Sequence, residues 1–237
     1  MEVIYNQMMI DKLDVLVMSA GTGARMGATE RKQWLSLCGR PLFVFTVEQL
    51  LSFGVTSCIL VVHQDDYERV QKEVTTRRLE HVKVVIGGED RQLSVWRGLQ
   101  LAQREFVVVH DGARPFLTEN DFLAVIKTAL STGAATLAHP VTDTLKRVDV
   151  SREVAEHVDR AGLWTIQTPQ VFLRTWLYKA HVAAQTEDYH GTDDTVLIER
   201  MGESVSLVYG SKWNVKLTDP EDVAYMRLWE AVSCGLD

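Results

Sequence analysis

Cysteine is scarce in this chain. Cys38, Cys58 and Cys234 lie far apart with no C-x-x-C pair, so neither a disulfide framework nor a zinc knot is expected. Seven histidines are scattered without an H-x-x-x-H pair, and no structural metal is expected. Long apolar runs are missing: none reaches 18 residues, so no membrane span is expected. The first residues, Met1 to Gln7, lack a basic stretch followed by a long apolar one, which argues against a signal peptide. These absences together describe a reduced, cytoplasmic protein. Positive charge is also in deficit, 25 Lys and Arg against 32 Asp and Glu, for a net charge of −7. That excludes a general nucleic-acid coat, which wants a basic face. It leaves room for a small anionic substrate in a local basic pocket.

What is present is an ordinary globular composition, 46% hydrophobic and 24% charged over 237 residues, enough to bury about 70% of the unfolded surface. Short runs rich in Val, Ile and Leu occur at Asp14 to Met18, Ser57 to His63, Val82 to Ile86, Phe106 to His110 and Ala134 to Ala138. They are apolar without strict alternation, the pattern of strands buried on both faces of a parallel sheet. Helical segments lie between them. One opens at Pro41 and stops before Gly54; another opens at Thr118 and closes at Gly133. The alternation predicts one α/β domain over residues 1–237, a doubly wound, mostly parallel sheet whose ligands sit beyond the carboxyl ends of the strands. Residues 140–168 lose the helical period and are read as an extended arm or hairpin, which is marginal alone and is expected to pack on something, a second subunit included. A last strand is expected at Val205 to Tyr209, and Thr218-Asp219-Pro220-Glu221 reads as a capping box before a C-terminal helix.

Four loops follow strands and carry the candidate chemistry. The first is Ser19-Ala20-Gly21-Thr22-Gly23-Ala24-Arg25-Met26-Gly27, continued by Arg31-Lys32-Gln33. Glycines after a strand let backbone N–H groups wrap an anion. The spacing G-x-G-x-x-x-G matches neither the dinucleotide fingerprint nor the P-loop. Residues 21–40 hold Arg25, Arg31, Lys32 and Arg40 against Glu30 alone, a local charge of +3 within a chain of −7. Such a loop suits a triphosphate; the alternative is a plain glycine turn with solvated charges. The second loop, His110 to Pro115, places Asp111 where Mg²⁺ beside a phosphate is usually held, although a cap or turn residue reads the same way and Arg114 reads equally as a surface charge. The third, Gly87-Gly88-Glu89-Asp90-Arg91 with Ser94, suits close approach of backbone to a base or sugar, or a simple N-cap at Ser94. The fourth, Gly210 to Thr218, carries Lys216 between a strand and a capped helix. Each loop follows a strand, so all four can open on one sheet edge, and that convergence outweighs any single loop.

These blocks resemble the 2-C-methyl-D-erythritol 4-phosphate cytidylyltransferases. The resemblance is carried by Ala20-Gly21-x-Gly23-x-Arg25-Met26-Gly27, Lys32-Gln33, Gly87-Gly88-x-x-Arg91-x-x-Ser94-Val95 and Val109 to Pro115. Later blocks agree: Pro140-Val141-x-Asp143-Thr144-x-Lys146, Asp159-Arg160-x-x-Leu163-Trp164, Gln167-Thr168-Pro169-Gln170, Thr192-Asp193-Asp194 and Asn214-x-Lys216-x-Thr218. They run in order from about Asp14 to Asp222. The resemblance implies a Rossmann-like nucleotidyltransferase fold with a projecting β-arm, a homodimer, and CTP-dependent cytidylyl transfer assisted by Mg²⁺ or another divalent cation at Asp111. It places Arg25, Lys32, Lys216 and Asp111 in catalysis. It places Ala20, Gly21, Gly23, Gly88, Glu89, Ser94 and Gly112 around CTP, and Arg114, Thr144, Arg160, Thr168 and Thr192 around the acceptor, with Thr144, Arg160 and Thr168 supplied by the neighbouring subunit.

Departures are few. Met18-Ser19-Ala20-Gly21 stands where the family usually has Pro-Ala-Ala-Gly, and Trp34 where Tyr or Phe is common. The first dozen residues read as an extension with no assigned role. The nearest rival is ribitol 5-phosphate cytidylyltransferase, which shares the glycine loop but resembles the Asp159 to Trp164 and His110 to Arg114 blocks less. A nicotinamide-dependent oxidoreductase fails on glycine spacing and on the missing acid at the end of the second strand. A catalytically silent nucleotide-binding regulator is disfavoured because the basic residues and Asp111 are all present.

Overall fold

The structure, a computed structural model, describes residues 2–21 and 31–233. Helix α1 (Glu2–Ile10) leads into β1 (Leu13–Ser19), and a small ladder of β2 (Ser36–Leu37) and β3 (Arg40–Pro41) precedes α2 (Leu42–Ser52). There follow β4 (Cys58–Val62), α3 (Tyr67–Thr76), β5 (Val82–Ile86), α4 (Arg91–Leu99), β6 (Phe106–Asp111), α5 (Glu119–Thr132) and β7 (Ala134–Pro140). The hairpin β8 (Leu145–Val148) and β9 (Val154–Val158) comes next, then β10 (Trp164–Leu173), α6 (Arg174–Thr186), α7 (Asp194–Arg200), β11 (Ser206–Tyr209) and α8 (Pro220–Ser233).

The seven-stranded sheet has the order β11-β7-β10-β6-β1-β4-β5. Its neighbours pair in parallel except β10, which runs antiparallel between β6 and β7. Strands β1, β4 and β6 are buried almost throughout because helices cover both faces. One core layer packs α2 and α5 against the sheet through Phe43, Val47, Phe122 and Ile126. The other packs α4 and α6 through Val95, Leu99, Leu177 and Ala180. The α5 boundaries follow from their caps: the Thr118 hydroxyl accepts from the Asp121 N–H, and Gly133 takes the left-handed conformation, φ +88°, that ends the helix.

Several elements differ from the sequence reading. The end of the segment read as an arm, from Trp164, does not project. It joins the sheet as β10, pairing Trp164 with Pro140 and Gln170 with Thr136 across a register shift. The projecting part is the exposed β8–β9 hairpin. The first dozen residues include helix α1, docked by buried Met9 and Ile10 and by Gln7, whose side-chain amide donates to the Gly54 carbonyl. Helix α8 is capped by Asp222 rather than Glu221: its carboxylate accepts from the Thr218 and Asp219 N–H groups. Cys58 is a free, buried thiol pushed up to about 12 by burial. Cys38 is disulfide-bonded, which corrects the expectation that no disulfide forms. No described helix is long and apolar enough to cross a membrane.

Candidate active site

Parallel strands β1, β5 and β6 all end on the same edge of the sheet, so the loops that follow them meet there. They enclose a cavity of about 430 Å³ lined by Ala20, Gly21, Lys32, Gly88, Glu89, Ser94, Asp111, Gly112 and Lys216, together with Gln33, His63, Asp90 and Arg91. The volume is that of a small-ligand pocket. Arg25 and Gly23 lie outside the described residues. Arg114 and Thr168 sit beneath the cavity rather than on its wall. Thr144, Arg160 and Thr192 are exposed and do not line the cavity of their own chain. Arg160 donates to the Thr142 carbonyl at the base of the hairpin.

Asp111, the last residue of β6, organises the site. Its carboxylate lies 2.8 Å from Lys216 Nζ, 3.5 Å from Arg114 Nε and 3.9 Å from Arg91 Nε. Burial would raise its pKa, but Lys216, Arg91 and Arg114 together outweigh that and hold it well below the usual carboxylate range. Each cation has its own anchor. Arg114 donates to the Asn214 carbonyl at 2.7 Å, and the fully buried Asn214 amide donates to the Thr168 carbonyl at 2.8 Å. The Leu217 N–H donates to the Ala113 carbonyl at 2.8 Å, so the loop carrying Lys216 is tied to the loop carrying Asp111. Lys32 donates from Nζ to the Leu217 carbonyl at 3.1 Å. Lys32 and Lys216, 184 positions apart in the sequence, therefore meet across one short strand of backbone.

Beneath Asp111 runs a buried hydrogen-bond chain. The Asp111 N–H donates to Thr168 Oγ1 at 3.0 Å, the Thr168 hydroxyl lies 3.1 Å from His110 Nδ1, and His110 Nε2 lies 3.2 Å from the Arg114 carbonyl. A carbonyl only accepts, so Nε2 carries the proton and Nδ1 accepts from the threonine. Burial lowers the His110 pKa to about 4, with Arg114 and Lys216 adding to the effect against Asp111. The imidazole is a neutral support and not an acid or base facing the cavity.

The nucleotide side is built from close backbone approach. Ser94 Oγ accepts from the Gly88 N–H at 3.0 Å and donates to the Asp90 carbonyl at 2.7 Å, while Asp90, and not Ser94, caps α4 through the Leu93 N–H. A β-carbon on Gly87 would fall 2.6 Å from that of Ala20, so glycine is required where the first and third loops meet. A β-carbon on Gly112 would overlap Ser19 Oγ and come within 3.2 Å of the Met18 carbonyl.

Arg91 was visible in the sequence only as part of a motif, with no role. It reaches the cavity wall, donating from Nη1 to Asp194 at 2.6 Å, and Asp194 in turn lies 3.2 Å from the buried His181 Nε2. Burial opposes the charge of Asp194, but Arg91 and His181 hold its pKa low. The signal that Arg91 matters is its position four residues past Gly87; that it is paired with an acid 103 residues away could not be read from spacing.

Comparison with known proteins decides the family. The family model described as 2-C-methyl-D-erythritol 4-phosphate cytidylyltransferase matches residues 13–229. The chain belongs to this family. A cytidylyltransferase of that name from Bacillus velezensis is 41% identical over 215 residues, covering 89% of this chain and 92% of the relative. The Aquifex aeolicus protein of that name is 41% identical over 212 residues, covering 90% and 94%. Among solved structures, the Anaerococcus prevotii 4-diphosphocytidyl-2C-methyl-D-erythritol synthase superposes with a TM-score of 0.79 at 28% identity, covering 92% of this chain and 97% of that one. The Thermus thermophilus 2-C-methyl-D-erythritol 4-phosphate cytidylyltransferase gives 0.77 at 27%, covering 92% and 98%. The chain is thus a member of a nucleotidyltransferase family with the α/β fold read from its sequence.

Proposed function

We propose that this enzyme transfers the cytidylyl group of CTP to 2-C-methyl-D-erythritol 4-phosphate and releases pyrophosphate, a step in making isoprenoid precursors. The observation that carries the reading is the meeting of Lys32, Lys216 and Asp111 in one cavity with the Gly87-Gly88 turn. An oxygen of the acceptor phosphate forms a bond to the α-phosphorus of CTP, and the bond from that phosphorus to the bridging oxygen of the β-phosphate breaks. Pyrophosphate leaves with the electron pair. The acceptor is already an anion, so no base need remove a proton, in keeping with a cavity whose nearest buried histidine is a neutral support. The protein's task is to bring two anions together in line and to neutralise the charge that builds up. Lys32 and Lys216, with Arg25, serve the α-phosphate. Ala20, Gly21, Gly23, Gly88, Glu89, Ser94 and Gly112 hold the nucleotide.

Asp111 fits a Mg²⁺ ligand: it is an ionised carboxylate on the cavity wall, and Mg²⁺ is commonly held by one or two carboxylates plus substrate phosphates. Among the described residues no group of three or more His, Cys, Asp or Glu could hold a metal ion, so the remaining ligands of an ion at Asp111 would be triphosphate oxygens and water. When bound, Mg²⁺ or another divalent cation supplies charge neutralisation to the phosphates.

The acceptor side is completed by a second copy of the chain. Val148, Val150, Val154, Leu163, Trp164 and Ile166 leave apolar surface exposed along the hairpin and its base, and a lone hairpin is marginal in water. In a homodimer the arm of the neighbouring subunit would bring Thr144 and Arg160 toward the site. Thr168, read from the sequence as the neighbour's, belongs to its own chain, where its buried hydroxyl accepts from the Asp111 N–H, with Arg114 beside Asp111 and the exposed Thr192 outside the cavity wall. The test is pyrophosphate release with CTP, offering 2-C-methyl-D-erythritol 4-phosphate and ribitol 5-phosphate in parallel. Release with the first and little with the second supports the reading; the reverse preference assigns the sister activity.

A further inference from the structure

Asp66 stands outside the cavity and outside every motif noted above, yet three side chains from the Lys32 segment converge on it. Gln33 Nε2 donates to Oδ2 at 2.8 Å, and Trp34 Nε1 and Arg31 Nη1 donate to Oδ1 at 3.0 and 3.2 Å. Asp66 is 6% exposed, so the carboxylate has little access to water and depends on these donors. It also occupies the N-cap position of α3, where an aspartate ordinarily accepts from the helix backbone. Here it makes no such cap; its carboxylate is turned instead to residues 31–34. The other contacts point the same way. The Arg69 guanidinium of α3 lies 3.5 Å over the Trp34 ring, which also meets Phe43 in a T-shaped contact with ring centroids 5.2 Å apart.

Lys32, Gln33 and Trp34 form a single 3-10 turn. Fixing the second and third residues of so short a turn fixes the direction of the first. Lys32 itself lines the cavity, where its ammonium donates to the Leu217 carbonyl. We infer that Asp66 is a positioning residue for catalysis: it clamps the turn through Gln33 and Trp34 so that the Lys32 ammonium is held at the phosphate-binding wall. The inference rests on the cytidylyl-transfer reading for its rate effects, while its effect on CTP binding stands apart from turnover.

The experiment is a double-mutant cycle over wild type, Asp66→Ala, Lys32→Ala and the double variant, with kcat/KM from pyrophosphate release and CTP affinity from calorimetric titration. A residue acting through Lys32 has nothing left to position once Lys32 is gone. Asp66→Ala is expected to lower kcat/KM by about 10²-fold, the scale of a misplaced catalytic group, and by less than about threefold in the Lys32→Ala background. CTP affinity follows the same pattern. Asp66→Asn keeps the Oδ1 acceptor and a turned Gln33 amide can meet the new N–H, so at least about tenfold of the loss is expected to return. Should Asp66→Ala not fold, Asp66→Asn runs the same cycle, with an expected loss of about tenfold that again vanishes without Lys32. Equal losses in both backgrounds overturn the inference, as does a loss that Asp66→Asn does not relieve. A wild type that binds CTP but releases no pyrophosphate overturns the activity instead, and the binding cycle still decides Asp66. A wild type that does not bind CTP overturns both.

Discussion

In the proposed reaction, Lys32 and Lys216 let a chain of net charge −7 meet an anionic substrate, because two ammonium groups converge on one cavity wall. Because the cavity is partly closed from water, a cation aimed at a phosphate there is worth far more than one on the surface. Lys32→Ala is therefore expected to lower kcat by roughly 10²–10³, measured by steady-state pyrophosphate release. A tenfold loss or less contradicts a catalytic role. His110 supplies a test of the support beneath Asp111. In the folded protein it titrates at about 4, against about 6.5 for an exposed imidazole. Between those values the unfolded chain binds more protons, so stability falls as pH drops from about 6.5 to about 4. Asp111, held low in the folded state, adds its own loss only below about pH 4. Chemical denaturation across this range is expected to show that slope in the wild type and a flatter one in His110→Gln.

Among the elements, the apolar strands β1, β4, β5, β6 and β7 and the capped helix α5 were legible because their burial and their end signals are written locally. Strand β10 was not. Its central residues Gln167, Thr168 and Gln170 are polar and Pro169 interrupts the ladder at a register shift, features that argue against a central strand. They are tolerated because each polar side chain has a long-range partner: Gln167 donates to the Ser211 carbonyl, Thr168 meets His110, and Gln170 donates to Asp193. The candidate site divides the same way. Glycine loops and cations beyond strand ends could be placed from sequence; Asp66, Asn214 and the Arg91–Asp194–His181 chain could not, because their partners are remote in sequence. The β1 and β6 loops also offer a packing test. Gly112→Ala puts a methyl against Ser19 Oγ and the Met18 carbonyl, so a loss of about 1–3 kcal/mol is expected, read by thermal or denaturant unfolding. Adding Ser19→Ala removes the first contact but not the second, and is expected to restore only part of the loss.

For the whole molecule, the proposed homodimer would carry Thr144 and Arg160 of the exposed β8–β9 arm to the neighbouring subunit's site, so that two copies share each site. Lys32→Ala and Arg160→Ala are each expected to be nearly inactive alone. In a mixed dimer one site carries both lesions and the other carries neither, so subunit exchange in an equal mixture is expected to restore about a quarter of wild-type turnover. No recovery after demonstrated exchange would place Arg160 in its own chain's site or outside both. All of this depends on the reaction itself. The most direct measurement is pyrophosphate release by the purified protein with CTP, Mg²⁺ and 2-C-methyl-D-erythritol 4-phosphate. Release is expected to require both substrates, to fall sharply in Lys32→Ala and to be at most weak with ribitol 5-phosphate. Absence of release with either acceptor, from a folded protein that binds CTP, would contradict cytidylyl transfer.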